Sequence, residues 1–400
     1  MSTPAAPSAP AGTGTLPQRA RVVVIGGGVI GLSVARELRL AGVDRVLVLE
    51  REASVGQGSS SRANGGVRAQ FTTRANIQFS AWSIAELERL DARTGLLGFH
   101  QTGYLLLCGT EAAEPGLAAA YELQRSLGVE VQWLTPAQAL ELVPFLRPEG
   151  LRAATFHGRD GFLDPHGVVA AMRADAERLE ARIRTGAEVT AIEPAPGGRL
   201  DLCAGDRTVR AAVVVNAAGP AAGRVAALCG ADLPVAPVRR NLAYVREPEG
   251  PGELIPMCVD LDTGVLVRRE ASGGFVVAWS DPDDQPSWET AVDPRFLEQL
   301  AQRVGNRFPL LEDLPLDPRQ CWAGLYPETP DHHAVIGPDP RVPALLHCAG
   351  FGGHGVMHSP AAGRAVAELV TLGSCRTFDL HPLRPARFAE GDLVVETAVL

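Results

Sequence analysis

The sequence predicts an α/β protein organised around a Rossmann-like domain, and three observations lead there. A short apolar run, Arg21–Ile25, leads into Gly26-Gly27-Gly28-Val29-Ile30-Gly31, then a helical pattern over Leu32–Leu40, then a second apolar run, Arg45–Glu50. Two later runs, Val213-Val-Val-Asn-Ala-Ala-Gly-Pro220 and Ala344-Leu-Leu-His-Cys-Ala-Gly350, read as buried strands that end in small residues. Finally, 400 residues with 46% hydrophobic and 21% charged content supply enough core for two domains.

The first unit is justified element by element. Arg21–Ile25 is rich in β-branched residues and bounded by glycine, which predicts a buried strand. In the loop, Gly26 allows the tight turn, Gly28 lets the backbone approach a pyrophosphate, and Gly31 lets the helix pack closely on the sheet. The N–H groups that follow, at Val29 and Ile30, sit at the positive end of the helix, where phosphates bind. Gly42 stops the helix, and Glu50 closes the second strand where a carboxylate accepts hydrogen bonds from a ribose, with Arg51 beside it. Strand, loop, helix, strand and acid in order within roughly 30 residues outweigh a lone G-x-G-x-x-G, yet the unit does not choose between NAD and FAD.

The next segment does. Gly58-Ser-Ser-Ser-Arg-Ala-Asn-Gly-Gly-Val-Arg68 resembles the serine-rich second loop of the D-amino-acid oxidase superfamily, which includes glycine oxidase, sarcosine oxidase and dimethylglycine dehydrogenase. The resemblance implies FAD, with Ser60, Ser61 and Arg62 over its pyrophosphate. It continues through Ala187–Ile192, where the backbone of Val189 is expected at the adenine side, and through the turn at Gly219. Trp322–Asp331, with Gly324, resembles the segment beside the flavin. Phe351–Pro360 resembles the loop facing the flavin pyrimidine ring, which brings in Gly352, Gly353, His354, Gly355, Val356 and Met357. There, N–H groups at a helix N-terminus would stabilise negative charge on reduced flavin. Ser359 is expected as N-cap and Pro360 as the first helical residue of a helix running through Val370.

The resemblance also implies a division of the chain. Residues 21–90, 150–235 and 321–385 would form a discontinuous FAD-binding domain. Residues 91–149 and 236–320 would form an α+β substrate domain on a large mixed or antiparallel sheet, with strands over Val238–Arg246, Gly264–Arg269 and Gly274–Trp279. Residues 1–20, rich in Ala, Pro, Ser, Gly and Thr, are expected to be a disordered tail and not a signal peptide.

Composition excludes several chemistries. The sequence holds no lysine, so a P-loop lysine and a Schiff-base lysine are both ruled out. A formal net charge of −9 argues against nucleic acid as a partner. Seven scattered cysteines, none spaced C-x-x-C, fit a reducing compartment, taken as the cytoplasm, and no apolar run is long enough for a membrane span. His354 and His358, at i and i+4, lack an accompanying third ligand, so no metal is expected.

The implied activity is oxidation of an amino acid, of the secondary or N-methyl type (sarcosine, dimethylglycine or proline), by hydride transfer to flavin. Such a substrate needs a carboxylate clamp, for which arginine is best shaped. The catalytic candidates are Arg68, Tyr244, Arg268 and His354, with Arg239, Arg240 and Arg269 as further basic residues of the substrate sheet. Sarcosine oxidases tether FAD through a cysteine at the position of Gly324, so non-covalent FAD is expected here. They also carry lysines at the positions of Met357 and near Val276, so a dehydrogenase is favoured over an oxidase. Electrons would then pass to another acceptor, such as a partner protein. Two alternatives stay open: a glycine or D-amino-acid oxidase type of enzyme, and a flavoprotein subunit or assembly factor without its own small substrate.

Overall fold

The structure, a computed structural model, describes residues 16–247, 252–312 and 314–398. The valine run buries fully: Val22, Val23 and Val24 are each 0% exposed. Val22 and Val24 pack on one side with Val34, Leu38 and Val366, while Val23 and Ile25 pack on the other with Val209 and Leu345. A strand covered on both faces belongs in the middle of a parallel sheet. Arg19–Ile25 indeed lies between Arg207–Asn216 and Val46–Leu49, parallel to both. The complete order is Val335–Pro338, Leu345–Ala349, Arg207–Asn216, Arg19–Ile25, Val46–Leu49, Arg182–Arg184, with Arg199–Ala204 and Val189–Ala195 extending Arg207–Asn216 as an antiparallel flap.

A second eight-stranded sheet runs in the order Trp322–Glu328, Ala236–Val245, Phe275–Ala278, Val265–Arg269, Met257–Asp260, Tyr104–Cys108, Ala153–His157, Gln132–Leu134. It is mixed, with a parallel pair at Met257–Asp260 and Tyr104–Cys108. One face packs on the helix Pro294–Arg307 through Phe296, Leu300 and Val304. The opposite face carries Tyr104, Leu106, Met257, Val259 and Leu266, with Phe162 packed on it.

Three expectations are corrected here. Ala153–His157 and Trp322–Glu328, placed with the FAD-binding segments, are strands of the second sheet, because their pairing partners are Tyr104–Cys108 and Ala236–Leu242. Of the expected tail, residues 1–15 lie outside the described residues, while Arg19 and Ala20 open the first strand against Arg210 and Ala211. The C-terminal helix spans Gly355–Leu372, so Ser359 is not its cap and Pro360 lies inside it. Proline there leaves the Val356 carbonyl without its usual N–H donor. Ser359 Oγ repairs this by donating to Val356 O at 2.9 Å. The early start is set by packing against Val29–Leu40: Ser33 Oγ donates to Ser359 O at 2.7 Å, and a Cβ on Gly363 would come within 2.5 Å of Ser33 Oγ.

One ion pair ties the C-terminal part to this frame. Arg387 donates to both carboxylate oxygens of Asp331 at 2.7 and 2.9 Å, with both side chains 0% exposed. Breaking a buried pair strands a charge, at about 3–5 kcal/mol. Arg387→Met is therefore expected to lower thermal stability by many degrees, while Arg387→Met with Asp331→Leu recovers much of it; a calorimetric scan reads both.

Candidate functional site

A cavity of about 650 Å³ runs between the two sheets, within the range of ordinary ligand sites. Its floor is the glycine loop. Gly26 has φ +108°, and a Cβ on it would meet Ala217 O at 2.4 Å. On Gly31 a Cβ would lie 1.9 Å from Gly26 O, so the helix can sit this close only without a side chain. Glu50 accepts from Gly27 N at 2.7 Å and Glu52 N at 2.9 Å, which fixes the loop against the end of the second strand. Ser60 Oγ accepts from Val29 N at 3.1 Å, bringing the serine loop over the helix start.

The named binding residues mostly converge. Gly26, Gly28, Val29, Ile30, Glu50, Arg51, Ser60, Arg62, Val189, Gly219, Gly324, Gly352, Gly353, Gly355 and Val356 all line the cavity. Four others do not. Gly31 acts through packing, and Ser61 turns back to donate to Gly58 O at 3.1 Å. Met357 is buried in an apolar cluster with Val67 and Phe71, and His354 lies beneath the lining, with its ring 4.8 Å edge-on from Phe71. Asn64, missed from sequence, also lines the cavity, and its Oδ1 has no partner among the described residues. A buried acceptor without a donor suits a hydrogen-bonding ligand. Its place in the Ser/Gly loop was the available signal.

At the far end, Tyr326 lines the cavity beside Gly353, where a Cβ would strike the tyrosine ring at 2.6 Å. Arg62 Nη1 donates to Ala323 O at 2.8 Å, and Trp322 Nε1 donates to Arg62 O at 3.0 Å. These contacts hold the serine loop onto Trp322–Glu328, a strand of the second sheet. Gly324 faces Arg62, while Cys321 Sγ turns to Asp317 O at 3.5 Å and does not line the cavity.

Arg68, in electrostatic reach of Tyr326, and Arg268 are buried basic residues. Arg68 is 1% exposed and its guanidinium carbon sits 4.0 Å over the Phe71 ring. Its hydrogen bonds go to the carbonyls of Gln70 and Ala398. Burial lowers its basicity, partly offset by Tyr104, Glu396 and Asp160 nearby. Arg268, 8% exposed, lies 4.7 Å over Phe162 and pairs with Glu270, but its Nε has no partner among the described residues. Burial and the Arg68 charge hold His354 well below the usual histidine range, and the same causes push His358 down to about 3, so both rings are neutral at pH 7. His358 Nε2 and Ser80 Oγ share a 2.8 Å hydrogen bond.

Tyr104, fully buried and missed from sequence, stands in electrostatic reach of both Arg68 and Arg268, and burial raises its phenol above the usual range. Tyr244 stands apart: its hydroxyl donates to Gly273 O at 2.7 Å and it does not line the cavity. Arg239 and Arg240 pair with Asp293 and Asp284 at 2.7 and 3.0 Å, and Arg269 pairs with Glu247. Of these three, Arg240 reaches the cavity.

A Glu50→Ala substitution removes the acceptor of two backbone N–H groups, each charge-assisted bond being worth about 1.5–3 kcal/mol. Reconstitution of stripped protein with FAD is expected to show at least a tenfold weaker Kd. An unchanged Kd would contradict the part assigned to Glu50.

A β-α-β glycine cradle, a serine loop folded over it and a helix N-terminus at the far end of one cavity define a flavin-binding oxidoreductase. The chain belongs to the FAD dependent oxidoreductase family, which it matches over residues 21–369. Among relatives, it is 32% identical over 431 residues to FAD-dependent oxidoreductase domain-containing protein 1 of Bos taurus, spanning 96% of this chain and 88% of that protein. Glycine oxidase of Geobacillus kaustophilus is 31% identical over 376 residues, spanning 92% and 96%. The solved structure of L-proline dehydrogenase from P. horikoshii superposes with a TM-score of 0.88 at 27% identity, covering 95% of this chain and 100% of that one. No helix among the described residues is long and apolar enough to cross a membrane, and all seven cysteines are free thiols.

Proposed function

We propose that the protein is an FAD-dependent dehydrogenase that oxidises the C–N bond of a secondary or N-methyl amino acid, of the proline, sarcosine or dimethylglycine type, in the cytoplasm. The observation that carries this reading is Arg68: a buried cation whose hydrogen bonds reach only carbonyls, in electrostatic reach of Tyr326, which lines the cavity. A buried charge held this way calls for an anionic ligand. A planar guanidinium fits a carboxylate, and Arg268, whose Nε has no partner among the described residues, adds a second donor on the second sheet.

Bound FAD, held without a covalent link, supplies the hydride acceptor for the amine-bearing carbon. The chain supplies the rest. Gly26, Gly28, Val29 and Ser60 would hold the pyrophosphate, and Glu50 would take the ribose end. The N–H groups of Gly355 and Val356, at a helix N-terminus in the cavity lining, would favour negative charge on the reduced flavin. Arg68 and Arg268 grip the carboxylate and fix the substrate's orientation. His354, kept neutral by burial and by Arg68, contributes no second positive charge.

The dehydrogenase assignment rests on the absence of lysine, in particular at Met357 and near Val276, and the likeness to L-proline dehydrogenase supports it. The likeness to glycine oxidase favours the other outcome. Turnover of proline, sarcosine, dimethylglycine and glycine is to be followed two ways, by dye reduction and by peroxide formation. The account expects a secondary or tertiary amine to reduce dye with little peroxide. Stoichiometric peroxide from glycine would overturn both the substrate class and the acceptor.

A further inference from the structure

The chain continues past the residues matched to the family, and its last described segment returns to the site. Glu396 is 0% exposed, although Leu393, Val394 and Val395 just before it are 41%, 45% and 53% exposed. Besides the packing of Ala398 on an apolar cluster and the backbone bond from Glu396 N to Asp331 O at 3.1 Å, the Glu396 side chain fastens this segment. Its carboxylate accepts from Thr72 N at 3.0 Å, Thr73 N at 3.2 Å, Thr73 Oγ1 at 2.7 Å, Asn76 Nδ2 at 3.0 Å and Ala398 N at 3.0 Å, and also from Thr72 Oγ1. Burial would raise its pKa, but these donors outweigh burial and hold it below the usual range. Thr73 is the N-cap of the helix Arg74–Thr94 and makes no side-chain cap bond of its own, so Glu396 places its charge at a helix N-terminus. Two residues on, Ala398 O accepts from Arg68 Nη2.

We propose that Asp392–Ala398 is a positioning strap for Arg68, pinned by Glu396, so that the carboxylate clamp is completed by the C-terminal segment. The inference rests on the reading of Arg68 as that clamp. Glu396 touches no reacting atom and is a positioning residue. The strap holds Arg68 in two ways: it fixes the stretch Arg68–Asn76 through the threonines, and it takes one guanidinium nitrogen on a carbonyl.

The test uses the full-length holoenzyme in four forms: wild type, Glu396→Ala, Arg68→Ala and the double variant, with Glu396→Gln as a milder change should the alanine form fold poorly. The probe is pyrrole-2-carboxylate, whose binding is read from the shift of the visible flavin band. Glu396→Ala is expected to keep its flavin, to weaken the probe at least tenfold, and to speed hydrogen exchange at the amides of 69–77. The double variant is expected to bind no more weakly than Arg68→Ala, because both changes act through one guanidinium. Wild-type affinity in Glu396→Ala, or losses that multiply in the double variant, would overturn the strap. If wild type ignores the probe, the carboxylate reading fails and the clamp role of the strap with it, while exchange at 69–77 still decides whether Glu396 fastens that stretch: unchanged exchange overturns the fastening, and faster exchange supports it.

Discussion

Arg68→Lys is expected to lower kcat/KM for the amino-acid substrate by about two orders of magnitude, near 3 kcal/mol at 1.4 kcal/mol per tenfold. Lysine keeps the charge but loses the planar fork, and its ammonium cannot bond Gln70 O and Ala398 O while also gripping a carboxylate in two places. It also loses the stacking over Phe71, now at 4.0 Å. The flavin content should stay that of wild type, since Arg68 does not line the main cavity. A stopped-flow half-reaction separates the two parts: the apparent substrate Kd should rise steeply, and the limiting rate of flavin reduction should fall less. A variant with wild-type kinetics would remove Arg68 from the site and leave Arg268 as the candidate clamp.

Gly31→Val carries the second large effect, on the cofactor. Even one carbon here would sit 1.9 Å from Gly26 O, and the neighbouring backbone cannot yield without opening the glycine turn. Moving the helix off the sheet would pull the N–H groups of Val29 and Ile30 away from the pyrophosphate position. The variant is expected to purify colourless, with FAD affinity down by at least a hundredfold, as read by fluorescence on reconstitution. Gly42→Ala, on the same helix-and-turn unit but in open space, is the matching control. Its φ of +79° predicts a small loss of stability and normal flavin content.

Local patterns were the legible part of this protein. The β-α-β unit could be read because its signals are contiguous: valines buried on both faces, glycines at fixed offsets, and an acid where the second strand ends. The same holds for the strands of the second sheet near Val238, Gly264 and Gly274, which the structure places within a residue or two of the expected bounds. What failed was anything decided at a distance. Ser359-Pro360 is a sound local helix start, but packing against Val29–Leu40 starts the helix a turn earlier and leaves Ser359 to serve the orphaned carbonyl. Ala153–His157 and Trp322–Glu328 carry no mark of which sheet they join, because that depends on partners elsewhere in the chain. Tyr104 and Glu396 were invisible as site residues for a related reason. One is a tyrosine in an apolar strand and the other an acid in a C-terminal stretch, and only tertiary contact brings them to Arg68. Tyr244 illustrates the converse: it lies on a strand that reaches the cavity, but its hydroxyl is taken by the turn at Gly273.

The central claim is that this chain binds FAD and lets a secondary or N-methyl amino acid reduce it. The most direct measurement is the visible absorbance of the purified protein under anaerobic conditions during titration with proline, sarcosine, dimethylglycine and glycine. The account predicts a yellow protein whose flavin band bleaches with one of the first three at stoichiometric enzyme turnover. A flavin band that none of the four compounds bleaches would contradict the enzymatic reading and favour a subunit or assembly role, and a protein that binds no flavin would contradict the whole account.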